Sequence, residues 1–246
     1  MISYIVVIPA RLKSKRLPFK PLIKIKGIPM IIRTFNQCSK AVPQKRIIVA
    51  TDSKQIINIC NEYGVNAILT SKNCKTGTDR VAEVSKKIKA KIYINLQGDE
   101  PIFPPKDIKK FIDFSLKNKN KIINGYTKIN LKKDYEDRNV PKVVFDNKEN
   151  LIYMSRSPIP GNKSKKFVRA WRQVCIYSFP KKILKKIILE NKKNTLEKIE
   201  DIEIIRFLEK GYNVKLIEMS DKSIPVDKKS DLKKVLKVIE QKNNEI

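Results

Sequence analysis

Residues 4–22 read YIVVIPARLKSKRLPFKPL, and their order decides the fold. The run at 4–8 is short, continuous and largely β-branched, the pattern of a strand buried on both faces of a parallel sheet. The stretch behind it carries Arg11, Lys13, Lys15, Arg16 and Lys20 with Ser14, and Pro9, Pro18 and Pro21 stiffen it. It contains no glycine, so it is neither a dinucleotide fingerprint nor a P-loop. In open α/β sheets ligands bind beyond the carboxyl ends of the strands. A cationic loop directly after the first strand is therefore placed for a nucleoside triphosphate. The same residues also read as a solvated charged loop in a Lys-rich chain.

Outward from this loop the alternation repeats. Helical patterns are expected at 29–39, 53–63 (stopped by Gly64), 76–87 and 104–117, with strands at 46–50, 66–69 and 91–96. Repeated βαβ predicts a doubly wound, mostly parallel sheet. The middle is less regular. Strand-like runs at 122–128, 142–145, 151–154 and 174–179 precede helical stretches at 181–191 and 196–210, a strand at 213–218 and a last helix at 230–242. The expected organisation is a nucleotide-binding core over 1–125, a mixed β/α insertion over 126–205, and a return to the core over 206–246.

Composition narrows the chemistry. The 246 residues include no histidine, which excludes a Ser-His-Asp triad, a Cys-His pair and a His-ligated metal. The four cysteines, at 38, 60, 74 and 175, form no CxxC pair and fit a reducing cytoplasm. The N-terminus has its apolar run ahead of its charges, the reverse of a signal peptide, so export is not expected. No stretch of about 18 apolar residues is present, so no membrane-spanning helix is expected. The formal charge of +29 raises a nucleic-acid partner. The lysines are spread through every segment without interleaved aromatics, which reads as composition bias instead.

The motifs Pro9-Ala10-Arg11 with Ser14, Arg16-Leu17-Pro18 and Lys20-Pro21-Leu22 resemble the signature of the CMP-KDO synthetases, the 3-deoxy-manno-octulosonate cytidylyltransferases. The likeness continues in order through ATD at 50–52, TGTDR at 76–80, LQGDEP at 96–101, PKVVFD at 141–146, YMSRSPIP at 153–160, LEKIEDIEIIRFLEKG at 196–211 and VD at 226–227. It implies a nucleotide-diphospho-sugar transferase-like fold and transfer of CMP from CTP to KDO, releasing pyrophosphate, for lipopolysaccharide or capsule assembly. It also implies a cytoplasmic homodimer with no nucleic-acid or membrane partner. Sialic-acid cytidylyltransferases are a near alternative, but their first loop is glycine-rich.

Read alone, Asp99 and Asp227 are also turn or cap residues. The resemblance implies that they hold Mg²⁺ and that Arg11, Arg16 and Lys20 complete the catalytic set. Nucleotide contacts are implied for Pro9, Ala10, Arg11, Ser14, Arg16, Lys20, Thr78, Arg80 and Asp99. Sugar contacts are implied for Gln97, Arg156, Gln173, Tyr177, Glu197 and Glu200. Glu197, Glu200, Glu203 and Arg206 are expected along one helix face, where the plain alternative is a solvated row of Glu–Arg pairs. Gln173 and Cys175 stand where the family has His and Gly, which leaves open a modified ulosonate such as an 8-amino analogue.

Overall fold

The computed structural model describes residues 2–14, 16–164, 166–190 and 193–244. Lys15 of the first loop and Asn191, the expected end of a helix, lie outside the described residues. Strand β1 (Ile2–Ala10) carries the 4–8 run and is central. After a small hairpin, β2 (Lys24–Ile25) and β3 (Ile28–Pro29), the chain enters helix α1 (Met30–Ser39) with Pro29 at its N-cap. Next come β4 (Ile47–Thr51), α2 (Lys54–Glu62), β5 (Ala67–Leu69), α3 (Gly77–Lys87), β6 (Ala90–Leu96) and α4 (Pro105–Lys117). Gly64, at φ 64°, releases the chain from α2, as its sequence position suggests.

The second half holds β7 (Ile122–Lys128), α5 (Lys132–Glu136), β8 (Lys142–Phe145), β9 (Leu151–Ser155), β10 (Trp171–Pro180), α6 (Lys181–Glu190), α7 (Thr195–Glu200), α8 (Ile205–Glu209), β11 (Val214–Glu218) and α9 (Lys229–Asn244). The main sheet runs β11-β7-β10-β6-β1-β4-β5. β11 is parallel to β7, and β6, β1, β4 and β5 are mutually parallel; β10 is antiparallel to both its neighbours. Apolar residues of α1, α2 and α4 cover one face, and those of α3, α6 and α8 cover the other. This is the doubly wound, mostly parallel architecture. α9 packs in a third cluster with Leu17, Ile25, Met30 and Val226, beside the first loop.

Within 126–205, β10 lies between β6 and β7 of the main sheet, and β8 and β9 extend outward from its end at Trp171 and Arg172. One expectation needs correction: 196–210 is not one helix. Asp201 adopts φ 49°, in the left-handed region, and separates α7 from α8. The cause is burial. Ile202 and Ile204 are both in the core, and a continuous helix would point residues two apart to nearly opposite sides.

Gly98 lets the ends of β6 and β1 meet. A Cβ there would lie 2.7 Å from the Pro9 carbonyl oxygen and 3.0 Å from Ile31 Cδ1. A backbone carbonyl cannot swing aside as a side-chain tip can. Gly98→Ala is expected to lower the unfolding free energy by roughly 1–3 kcal/mol in urea denaturation; an unchanged midpoint would mean that the two strand ends are not held together here.

Candidate active site

The first loop leaves β1 at Ala10 and turns back through Leu17, where Lys20 N–H donates to the Leu17 carbonyl at 3.1 Å. Phe19 takes φ 54°, an uncommon conformation for a non-glycine residue. The 3₁₀ turn Lys20–Leu22 follows at once, and Lys20 points to the carboxyl edge of the sheet. Its Nζ lies 2.7 Å from Asp99 Oδ2, 3.2 Å from Asp227 Oδ1 and 3.0 Å from the Val226 carbonyl. Burial alone would depress this ammonium, but Asp99 and Asp227 outweigh burial and hold it above its ordinary value. Arg16, more exposed, reaches Asp227 Oδ1 at 3.2 Å and Asn139 Oδ1 at 3.1 Å.

The carboxylates are fixed from behind. Val226 N–H donates to the Asp99 carbonyl at 2.9 Å, tying the segment before α9 to the end of β6. Asp231 accepts from the N–H groups of Asp227 and Lys228 at 3.1 and 3.0 Å and so caps the start of α9. Glu100, 1% exposed, is pushed up to about 8 by burial, and Ser223 Oγ donates to it at 2.6 Å. The structure thus brings Arg16, Lys20, Asp99 and Asp227 together. Arg11 is exposed at the start of the same loop, and Pro9 and Ala10 end the strand before it. Ser14 accepts from Leu17 N–H at 3.3 Å and shapes the loop.

Helix α3 opens beside this cluster. Thr76 and Asp79 form a capping box. The free N–H groups of Gly77 and Thr78 donate to Glu203 at 2.9 and 2.8 Å, and Thr78 Oγ1 donates to it at 2.6 Å. Burial raises the Glu203 carboxyl, against these donors. The sequence showed Glu203 only as one of a row. The break at Asp201 is what turns it toward α3. Arg80 is 3% exposed, bound to Asp52 at 3.0 Å and Thr70 at 2.7 Å. Thr78 and Arg80 therefore brace the site in this state, and Gln97 lies against the α-carbon of Gly77.

The residues expected on the sugar side are engaged within the protein. Glu197 is fully buried and pairs with Arg206, whose guanidinium also reaches Asp79. It belongs to the α3–α7–α8 junction and not to a solvated row. Arg156 donates from Nε to the Glu200 carbonyl, from Nη1 to that of Arg138 and from Nη2 to that of Asp201. Three of its five N–H groups are thus committed to backbone carbonyls. Glu200 accepts from Ser155 Oγ at 2.7 Å and Arg156 N–H at 2.8 Å. Gln173, 6% exposed, donates to Asn124 Oδ1 at 3.0 Å and contacts Met154 Sδ, because it falls on the inward side of β10. Tyr177 is buried and stacks on Phe179. Asn139, which clamps Arg16, had no sequence signal at all.

A family model described as cytidylyltransferase matches residues 5–239. A 3-deoxy-manno-octulosonate cytidylyltransferase of Chloroherpeton thalassium is 35% identical over 247 residues, covering 97% of this chain and 98% of the relative. One from Nitratiruptor sp. is 37% identical, covering 94% and 97%. A solved structure of CMP:2-keto-3-deoxy-manno-octonic acid synthetase complexed with CTP matches with a TM-score of 0.88 at 31% identity, over 98% of this chain and 99% of that one.

The two kinds of ion pair predict different costs. Glu197→Gln weakens a buried pair and is expected to lower stability by about 1.5–3 kcal/mol. Arg16→Ala removes an exposed pair and is expected to cost less than about 1 kcal/mol. Chemical denaturation of both variants checks this; equal losses would contradict the burial pattern.

Proposed function

The chain belongs to the 3-deoxy-manno-octulosonate cytidylyltransferase family, and from that premise we propose that it transfers CMP from CTP to KDO and releases pyrophosphate. The observation that carries the proposal is the convergence of Lys20, Arg16, Asp99 and Asp227 at the carboxyl edge of the sheet. In the reaction the anomeric hydroxyl oxygen of the sugar bonds to the α-phosphorus as the bond to pyrophosphate breaks.

The donor set fits a hard divalent cation. Two carboxylates converge within 3.2 Å of a single ammonium nitrogen, and Mg²⁺ takes one or two carboxylates beside phosphate oxygens and water. Among the described residues no cluster of three or more carboxylates or thiols competes as a metal site. Asp99 and Asp227 would hold Mg²⁺, which supplies charge neutralisation on the phosphates and acidifies a bound hydroxyl.

Lys20 and Arg16 then exchange one anionic partner for another, releasing Asp227 and pairing with the triphosphate. Arg11 extends the cationic rim. The rigid 3₁₀ turn at Lys20–Leu22 keeps the ammonium aimed at the reacting phosphates, which lowers the ordering cost of binding. Gln173 lies in the strand packing of β10, so the change from His there does not favour a modified ulosonate. The proposal stays with KDO itself.

A homodimer is the assembly we propose, and exposed Ile152, Val168 and Ile199 offer apolar surface for it. Four free thiols suit a reducing, cytoplasmic setting. Among the described residues no helix is long and apolar enough to cross a membrane.

Pyrophosphate release from Mg²⁺-CTP with and without KDO tests the proposal, and a KDO-dependent signal is expected. Asp99→Asn, Asp227→Asn and Lys20→Met are each expected to lower kcat/KM by about 100-fold or more. A wild-type enzyme with no KDO-dependent signal, or an Asp99→Asn variant of normal activity, would remove this reading.

A further inference from the structure

Lys142 is the first residue of β8 and has no exposed surface. Other buried cations of this chain face carboxylates: Arg206 faces Glu197 and Asp79, and Arg80 faces Asp52. Lys142 does not. Its Nζ donates to the Asp137 carbonyl at 3.0 Å and the Arg156 carbonyl at 2.6 Å, and among the described residues no carboxylate oxygen lies within ion-pair distance. An ammonium without a counter-ion is expensive to bury. Its two acceptors show what it holds in place.

Both acceptors lead to the site. Asp137 begins a turn, closed by Val140 N–H on its carbonyl at 3.0 Å, that presents Asn139 to Arg16. The Asp137 carboxylate also pairs with Lys228, next to Asp227, at 3.5 Å. Arg156 directly follows β9 and gathers the carbonyls of Arg138, Glu200 and Asp201. We propose that Lys142 is a positioning residue for the sugar acid, locking the Asp137–Val140 turn and the end of β9 into one wall beside the Asp99–Asp227 pair. This rests on the cytidylyl-transfer reading.

The lock is sensitive to charge. Burial pushes the Lys142 ammonium down to about 8, partly offset by Asp137 and Glu200 and reinforced by Arg156 and Arg138. From β10 the facing residue is Arg172, and from β9 it is Ser155. Charge-assisted bonds to carbonyls weaken when the donor loses its proton. The wall is therefore tight below about pH 8 and looser above it.

The experiment compares wild type, Lys142→Met and Lys142→Arg. Lys142→Met is expected to raise the KM for KDO about tenfold or more, and the KM for CTP by less, through the Asn139–Arg16 contact. The wild-type KM for KDO is expected to rise through about pH 8, and that rise is expected to vanish in Lys142→Arg, which keeps its charge. A folded Lys142→Met enzyme with an unchanged KM for KDO overturns the proposal, as does a rise that persists in Lys142→Arg. A second readout needs neither turnover nor a folded Met variant. Trp171 is the single tryptophan of the chain and lies across from Val143 on the neighbouring strand. Its emission is expected to shift through about pH 8 in wild type and to stay flat in Lys142→Arg. A flat wild-type emission from about pH 7 to about pH 9 overturns the lock without any variant. Absent KDO-dependent pyrophosphate release with the emission shift intact would remove the catalytic reading and leave the lock standing.

Discussion

Asp99 and Asp227 come from distant parts of the chain, and like charges brought to one point repel unless a cation lies between them. That constraint organises this edge of the molecule. Two carboxylates on one ammonium need Lys20 delivered to within 2.7 and 3.2 Å, which the stiff first loop achieves through its 3₁₀ turn. They need their own backbones tied, which Val226 N–H on the Asp99 carbonyl achieves. They need the start of α9 pinned, which Asp231 achieves by capping the residues beside Asp227. Gly98 permits all of it, since any side chain there would press on the Pro9 carbonyl.

The second half follows a different rule. Apart from Lys142, which is held by backbone carbonyls, its buried charges are satisfied by other side chains or by helix N–H groups and are part of the packing. Arg206 holds Glu197 and Asp79 and joins α3, α7 and α8 into one block. Such pairs contribute little net stability over well-packed apolar residues, but breaking one member is costly because the other charge is left stranded. Glu203 shows the same logic at a helix end. It satisfies two N–H groups of α3 that would otherwise lack acceptors. A helix N-terminus that looks from its sequence ready for an anion can already be occupied from inside the protein.

Much of the fold was legible because period and punctuation agreed. The β-branched run at 4–8 has no polar interruption, and Gly64 and Gly211 stop helices at φ 64° and 73°. The loop cations were legible because they follow the first strand directly. The break at Asp201 was not, because local propensity through 196–210 is helical and only the burial of both Ile202 and Ile204 overrides it. The orientations of Arg156, Glu197 and Gln173 were not legible either. A side chain's type states what it can bind, while its partners are set by neighbours far away in sequence. Gln173 meets Asn124 only because β10 enters the sheet antiparallel beside β7.

The charge of +29 gains meaning only when divided by distance. At physiological salt a surface lysine acts over roughly 8 Å, so those on the outer faces of α4 and α9 do little for a nucleotide at the sheet edge. What matters there is the balance within the cluster, and it is close to neutral: Lys20 and Arg16 face Asp99 and Asp227. A neutral cluster does not trap anions indiscriminately. A ligand that brings negative charge alone must displace Asp227 from both cations and leave it uncompensated. One that arrives with a divalent cation supplies a partner for each group it separates. Under the proposed reaction, the internal pairing of the site would favour a metal-complexed triphosphate over the free one before any contact with the base or the sugar.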